Sequence, residues 1–320
     1  MTSRARVYAI VAACAVAAAG LTIGITLATR TPTPKRPAGQ TGSPPLAIDL
    51  GVRTDPEAVA LRRAANLYNS GKKGQSASIF DRYGSLEAQV GAALSAWPGG
   101  FARLATLARD HPRSAVAQLH YGLGLYWRGD EGAAKAAWRA ARQAQPDTPY
   151  AERAEDLLHP NFPRGLPTFV PSFRSPTALD RLSPPKQLAY LERLAATDGE
   201  RGRILYGVAL QRLGRQVSAL REFQAAAALA PGDPEAQVAE AVARFDKADP
   251  SRTFSRLGPL ARRYPKSQSV RFHLGLCLLW LGSVSQARQE LRLARQLGPR
   301  TPLGVEAGTF LDQLAGIKTR

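Results

Sequence analysis

The sequence predicts an all-α solenoid built from helical hairpins, and three regularities of the chain support this prediction. Prolines recur at intervals of 34 residues in two parts of the chain: Pro112 and Pro146, then Pro231, Pro265 and Pro299. Small and bulky residues keep the same interval between these prolines. Residues 101–158 also align with residues 254–311 at a constant offset of 153.

Each 34-residue unit carries the signals of two helices joined by a short turn. In residues 200–233 these are Gly207, Gly214, Phe223 and Pro231. A small residue where two helices cross lets their backbones approach, and a bulky residue on the second helix fills the remaining space. Glycine ends the first helix and proline cannot continue the second. Because one hairpin cannot bury its own apolar face, neighbouring hairpins must stack.

These units resemble the tetratricopeptide repeat, whose unit is two antiparallel helices with small residues at their crossing and a closing proline. The matching residues fall in three units: Gly122, Gly129, Ala134, Trp138, Ala141 and Pro146; Tyr206, Gly207, Gly214, Ala219, Phe223, Ala226 and Pro231; Gly275, Gly282, Ala287, Leu291, Ala294 and Pro299. The pattern is weaker in residues 81–114 and 234–267, where leucine replaces the usual alanine. The resemblance implies a right-handed superhelix whose first helices line a concave groove that accepts peptide segments.

The larger repetition divides the solenoid into two blocks, predicted over residues 55–158 and 186–320, each closed by a capping helix. Between them, residues 159–185 contain seven prolines, which prevent a regular helix. This Pro-rich linker also carries apolar side chains: Phe162, Phe169, Val170 and Phe173. We therefore expect an extended segment packed on one or both blocks, followed by a helix from about Pro185 to Ala196.

The N-terminal region predicts membrane attachment. Residues 1–6 form a basic tail, and residues 7–29 carry no charge over 23 positions, a length that spans about 34 Å as a helix and is enough to cross a bilayer. A cleaved secretory signal and lipidation at Cys14 are the two alternatives. Residues 30–54 are rich in proline and predict a flexible tether. Basic residues flank the apolar run on both sides, and the short tail favours an extracytoplasmic location for the rest of the chain.

The chain carries a formal net charge of +18, which could indicate a polyanion as partner. However, most of its basic residues are arginine, and Ala, Gly and Pro are abundant. This composition is typical of proteins from GC-rich genomes and fits a bacterial protein. We therefore expect no nucleic-acid partner.

The sequence shows no catalytic constellation, so we expect no enzyme, no metal and no cofactor. The stretch Gly71-Lys-Lys-Gly74 lacks the spacing and the hydroxyl residue of a phosphate-binding loop. The four histidines lack the spacing of metal ligands. His120 and His273 correspond at the offset of 153 and could be retained ligands, although helix packing is the simpler explanation. Cys277, in an apolar helix, is predicted to be a core residue.

If the tetratricopeptide arrangement is carried over, the groove residues follow from the first helix of each hairpin. In the second block they are Arg201, Ile204, Val208, Gln211, Arg212, Val238, Val242, Phe245, Phe272, Leu276, Leu279 and Trp280, and in the first Leu119, Leu123, Tyr126 and Trp127. This lining is apolar and aromatic, which suits a nonpolar or amphipathic segment. Alternatively, the Pro-rich linker or the other block fills the groove, and burial of Trp127 and Trp280 would then distinguish the two cases.

The leading functional hypothesis is a membrane-tethered scaffold that binds a protein or peptide partner in the concave groove. The alternative is a binder of anionic polymer or lipid at the cell envelope. A duplicated basic stripe on two second helices would then carry the binding: Lys135, Arg139 and Arg142, with Arg288, Arg292 and Arg295. The same stripe is also what the solvated face of an amphipathic helix looks like.

Overall fold

A computed structural model describes residues 40–315 of the chain. All regular secondary structure in this range is helical, which confirms the predicted all-α class. The predicted membrane anchor, residues 7–29, lies outside the described residues. None of the helices between residues 40 and 315 combines the length and apolarity needed to traverse a bilayer.

The chain divides into two compact units between residues 158 and 159. In the described part of unit 1, residues 40–158, the helices are α1 (Pro56–Asn69), α2 (Lys73–Phe80), α3 (Leu86–Ser95), α4 (Phe101–Asp110), α5 (Ala115–Trp127), α6 (Glu131–Ala144) and α7 (Pro149–Leu158). In the described part of unit 2, residues 159–315, a 3-10 turn at Thr177–Arg181 precedes α8 (Pro184–Thr197), α9 (Gly199–Arg212), α10 (Gln216–Leu229), α11 (Pro234–Ala243), α12 (Ser251–Arg263), α13 (Gln268–Trp280), α14 (Val284–Leu297) and α15 (Pro302–Ala315).

Local signals in the sequence start the helices. Asp55 and Asp233 cap α1 and α11, and each side chain accepts a hydrogen bond from a backbone N–H of the first turn. Pro56 and Pro234 follow them, where the missing N–H costs nothing. The chain reverses between α9 and α10 at Gly214, whose φ of 67° is a conformation that favours glycine.

Small residues allow the two helices of each hairpin to cross closely. A Cβ added at Gly207 would lie 2.6 Å from the ring of Phe223, and one at Gly122 would lie 2.5 Å from the ring of Trp138. Both aromatic rings are buried against the opposite helix. These contacts confirm the predicted helical hairpins, with a small residue on the first helix facing a large one on the second.

Residues 44–50 differ from the expected flexible tether. Leu46 and Leu50 are 4% and 7% exposed and belong to the apolar core of unit 1 together with Leu61 and Leu119. The prediction of a flexible tether for residues 30–54 is therefore corrected for this stretch, because burying two leucine side chains offsets the entropy lost by ordering it. We call residues 44–50 segment 1.

Candidate functional site

The inner surface of unit 2 is formed by α9, α11 and α13, the first helices of three successive hairpins, and part of the Pro-rich linker lies across all three. We call residues 162–173 segment 2. Its backbone N–H groups donate to one side chain on each helix: Phe169 to Oε1 of Gln211 at 3.1 Å, Val170 to Nε2 of His273 at 3.0 Å, and Ser172 to Oε1 of Glu235 at 2.6 Å. The inner surface thus holds an extended chain by its backbone.

The side chains of segment 2 supply the apolar contacts. Phe169 is 2% exposed; its ring stacks on His273 at 4.7 Å and meets Phe223 edge-on at 5.7 Å. Phe162 packs edge-on against Phe245, with ring centroids 6.4 Å apart. Phe169 is the deepest of these side chains and acts as the anchor of segment 2.

The two ends of segment 2 are held by cationic side chains. The Lys247 ammonium donates to the carbonyl of Pro163 at 2.7 Å, and Lys247 is 3% exposed. At the other end the guanidinium of Arg201 lies over the ring of Phe173, 5.3 Å from its centroid. Segment 2 is therefore fixed at both ends as well as at its centre.

Unit 1 holds segment 1 in a closely related way. The side-chain amide of Asn69 accepts from the N–H of Leu46 at 3.3 Å and donates to the carbonyl of the same residue at 3.0 Å. The N–H of Ala47 donates to Nε2 of His120 at 3.1 Å, and the N–H of Asp49 donates to the Tyr150 hydroxyl at 2.8 Å. An amide oxygen and a histidine nitrogen thus accept two consecutive N–H groups in each unit.

The tautomer of both histidines follows from their partners. Nδ1 of His120 lies 2.7 Å from the carbonyl of Val116, and Nδ1 of His273 lies 2.7 Å from the carbonyl of Ser269. A carbonyl only accepts, so Nδ1 carries the hydrogen and Nε2 keeps the lone pair that accepts the segment's N–H. Burial lowers the pKa of both histidines to about 4, so both rings are neutral at pH 7.

The two segments align once the histidine contact is used as the reference. With Ala47 placed on Val170, residues 44–50 (PPLAIDL) match residues 167–173 (PTFVPSF) at an offset of 123. Both read Pro-x-(Leu or Phe)-(Ala or Val)-x-x-(Leu or Phe). Sequence reasoning missed the backbone-holding role of His120 and His273. The signal that could have revealed it was this short repeat, which lies outside the 153-residue offset.

The predicted groove residues of unit 2 lie around segment 2. Phe169 shares a buried cluster with Ile204, Val208, Val238 and Val242. Phe162, Leu166 and Val170 of segment 2 pack on a second cluster that contains Phe245, Phe272, Leu276, Leu279 and Trp280. Gln211 and Arg201 contact the segment directly, whereas Arg212 is exposed to solvent. Trp280 is 1% exposed, so in unit 2 the Pro-rich linker fills the groove.

In unit 1 the predicted residues behave in two ways. Leu119 and Leu123 are buried in the same cluster as the leucines of segment 1. Tyr126 and Trp127 are half-buried and contact each other edge-on at 5.9 Å. The inner leucines are therefore covered, and the two aromatic residues at the end of α5 keep part of their surface in solvent.

The duplicated basic stripe is partly neutralised. Lys135 pairs with Glu131, and Arg142 pairs with Glu155 at 2.7 Å. On α14 the guanidinium of Arg288 donates to the carbonyl of Leu314. Arg288, Arg292 and Arg295 line an open surface cavity of about 390 Å³ against α15.

The remaining nucleophile and metal candidates show no site in the part of the chain that the structure describes. Cys277 is fully buried, and burial raises the pKa of its thiol, which keeps it protonated. Across residues 40–315 no three His, Cys, Asp or Glu side chains come together as metal ligands would.

Three solved structures that resemble the fold are YrrB, the TPR2AB domain of yeast Sti1 and yeast Tom70. YrrB, described as a TPR protein with an unusual peptide-binding site, is 14% identical, with a TM-score of 0.31 over 64% of this chain and 97% of its own. The TPR2AB domain of yeast Sti1, solved in a pHSP90 complex, is 10% identical, with a TM-score of 0.31 over 81% and 98%. Yeast Tom70 is 11% identical, with a TM-score of 0.30 over 80% of this chain and 53% of its own.

No family profile and no curated protein matches the chain.

Proposed function

We propose that the protein is a scaffold for protein–protein interaction in which the inner surface of unit 2 binds an extended segment of a partner in exchange for segment 2. The observation that carries the proposal is the set of three N–H bonds to Gln211, His273 and Glu235, one on each of three successive helices. Backbone donors are common to most polypeptides, so the same acceptors suit a foreign chain.

Two features of segment 2 make it exchangeable. Segment 2 contains no regular secondary structure, and α8 begins only at Pro184, so its departure leaves the helices of unit 2 intact. Segment 2 also leaves one buried hydrogen-bond donor of its binding site without an acceptor. Nε2 of Gln211 is buried and has no acceptor among the described residues, whereas the equivalent amide of Asn69 donates to Leu46. A buried donor left unpaired costs about 1–3 kcal/mol, which a better-fitting segment would recover.

A photo-crosslinking amino acid at Val208, inside the cluster that surrounds Phe169, tests the proposal in cells that express the full chain. We expect an adduct with a second polypeptide, and more of it after Phe169→Asp, which places a charge in the anchor site and expels segment 2. The same amino acid at Leu229, which is 59% exposed on α10, is the matched control. If the amino acid at Val208 crosslinks only to residues 162–173, with and without Phe169→Asp, the scaffold proposal is wrong.

In the same proposal the apolar run at residues 7–29 holds the scaffold at a membrane. We expect the full chain to stay in the membrane fraction after an alkaline carbonate wash, because a spanning helix is removed only by detergent. Release of the full-length chain into the carbonate supernatant would contradict a spanning anchor.

A further inference from the structure

We propose that the partner segments taken by the inner surface of unit 2 carry the pattern common to segments 1 and 2. In its seven positions this pattern is Pro, any residue, Leu or Phe, Ala or Val, two residues of any kind, and Leu or Phe. The inference rests on the proposed function and names the ligand class of the same site. Its basis is that one chain shows the same mode of binding twice, with two different sequences.

Side chains at two positions select apolar residues. At position 3 Leu46 and Phe169 are 4% and 2% exposed, so a polar residue there would lose its hydration without gaining partners. At position 7 Leu50 is buried and Phe173 lies beneath the guanidinium of Arg201. The two anchors are four residues apart in both segments, which sets the register of a bound chain.

Backbone donors determine where proline is excluded. Positions 3, 4 and 6 each donate an N–H in both segments: to an amide oxygen, to a histidine Nε2, and to either the Tyr150 hydroxyl or the Glu235 carboxylate. Proline has no N–H and would leave the acceptor without its hydrogen bond at any of these positions. Position 5 has no such requirement, and Pro171 occupies it in segment 2. The pattern therefore admits proline at position 5 and rejects it at positions 3, 4 and 6.

The position 3 carbonyl distinguishes the two units. In unit 1 Asn69 donates to it, whereas in unit 2 Nε2 of Gln211 has no acceptor within residues 40–315. An external segment that turns this carbonyl toward Gln211 makes one hydrogen bond that segment 2 does not make. The site in unit 2 is thus the one from which the chain's own segment is more easily displaced.

The test uses the full chain with Phe169→Ala, which empties the anchor site, and a fluorescent peptide of residues 166–174. Fluorescence anisotropy should show saturable binding to this variant and at least tenfold weaker binding to the unmodified chain, where segment 2 competes. An unlabelled peptide of residues 43–51 should compete for the site, because it carries the same pattern.

Two peptide pairs test the pattern itself. N-methylation at position 4 removes the donor to His273 and should weaken binding roughly tenfold or more, whereas N-methylation at position 2 is the matched control and should change it less than threefold. Asp at position 3 should abolish binding, and Tyr at that position should be tolerated better. Equal losses from both N-methyl peptides would overturn the pattern.

Circular dichroism checks that Phe169→Ala remains folded. The double variant Phe162→Ala with Phe173→Ala loosens segment 2 at its two ends while leaving the anchor, and it should bind the same peptide. If neither variant binds the peptide, the ligand class is wrong, while crosslinking at Val208 still decides the scaffold independently. If the peptide binds but no second polypeptide crosslinks, the pattern serves only the chain's own segments and the partner assignment is overturned.

Discussion

At the scale of single residues, the two buried histidines make the segment contacts sensitive to acid. Protonation of Nε2 would place a hydrogen opposite the N–H of Ala47 or Val170 and remove the acceptor. In the folded protein the pKa of His120 and His273 is about 4, below the value of about 6.5 in an unfolded chain. The unfolded chain therefore binds more protons between these values. The stability that the two neutral histidines contribute is fully present above pH 6.5 and is lost as the pH falls toward 4.

We predict that the free energy of unfolding falls by about 1.4 kcal/mol per histidine for each pH unit between about 6.5 and about 4. Urea denaturation of the full chain at pH 7.5 and 5.5 measures this change. His273→Gln should reduce the pH dependence, whereas the same substitution at His111, an exposed residue, should leave it unchanged. If the His273→Gln variant has the same pH dependence as the unmodified chain, His273 is not a source of the acid sensitivity.

One polar group near His273, the Glu235 carboxyl, changes stability with pH in the direction opposite to the histidine. Phe169, Phe272 and Ser269 are neutral neighbours. Burial raises the pKa of Glu235, which accepts the N–H of Ser172, so the folded protein takes up that proton more readily than the unfolded chain. Acid therefore stabilises the fold through Glu235, and measuring the pH dependence in a Glu235→Gln background isolates the histidine contribution.

Near His120 the charged group is the guanidinium of Arg153, which adds to burial in lowering the histidine pKa. Tyr150, whose ring centroid is 6.3 Å from that of His120, hydrogen-bonds the backbone of segment 1. Burial and the Arg153 charge therefore both favour the neutral ring. We therefore expect His120 to follow the same direction with pH as His273.

At the scale of elements, the crossing of α9 and α10 depends on the absence of a side chain at one position. We predict that Gly207→Ala lowers the free energy of unfolding by about 1–3 kcal/mol, because its Cβ would lie 2.6 Å from the buried ring of Phe223. Urea denaturation measures the loss. Gly232→Ala, where a Cβ meets nothing within 4 Å, is the matched control. Combining Gly207→Ala with Phe223→Leu should cost less than the sum of the two single changes.

Segment 2 is an element without secondary structure, held by its contacts alone. We predict that Phe169→Ala exposes it to trypsin, whose cleavage sites at Arg164 and Arg174 flank the central contacts. Local opening then needs less free energy, since the anchor contacts are lost. Limited proteolysis followed by mass spectrometry measures cleavage at these two sites.

Ser172→Ala is the control for this experiment, because Ser172 is exposed and alanine keeps the N–H that donates to Glu235, losing only the contact of the hydroxyl with the same carboxylate. We expect its cleavage rate to equal that of the unmodified chain. Equal rates in Phe169→Ala and Ser172→Ala would mean that Phe169 does not hold the segment.

At the scale of the whole molecule, the net charge of +18 provides a second possible mode of binding, to anionic polymer or lipid. We predict that association with anionic vesicles falls steeply with added salt, whereas peptide binding at the inner surface changes little. Arg292→Gln with Arg295→Gln removes two cations from the cavity against α15. Arg262→Gln with Arg263→Gln, two exposed residues on α12, removes the same charge elsewhere. If the two double variants weaken vesicle association equally, the binding depends on net charge alone and not on the cavity.

Much of the repeat architecture could be read from local residue patterns. The intervals of 34 residues, the capping aspartates and the glycine opposite Phe223 all act within one hairpin, so their consequences are visible within a short stretch of chain. The helix expected from about Pro185 to Ala196 is observed at Pro184–Thr197 for the same reason. The predicted groove residues stay predictions as ligand-binding residues, although most of them surround segment 2.

What covers the inner surfaces was decided only by the tertiary structure. Apolar residues such as Val208 and Trp280 suit a foreign segment and the chain's own linker equally well, so composition could not choose between them. The choice depends on long-range contacts, between Phe169 and Gln211 and between Val170 and His273, which join residues 42 and 103 positions apart. A local pattern states which surface must be covered, whereas the path of the folded chain determines which segment reaches it.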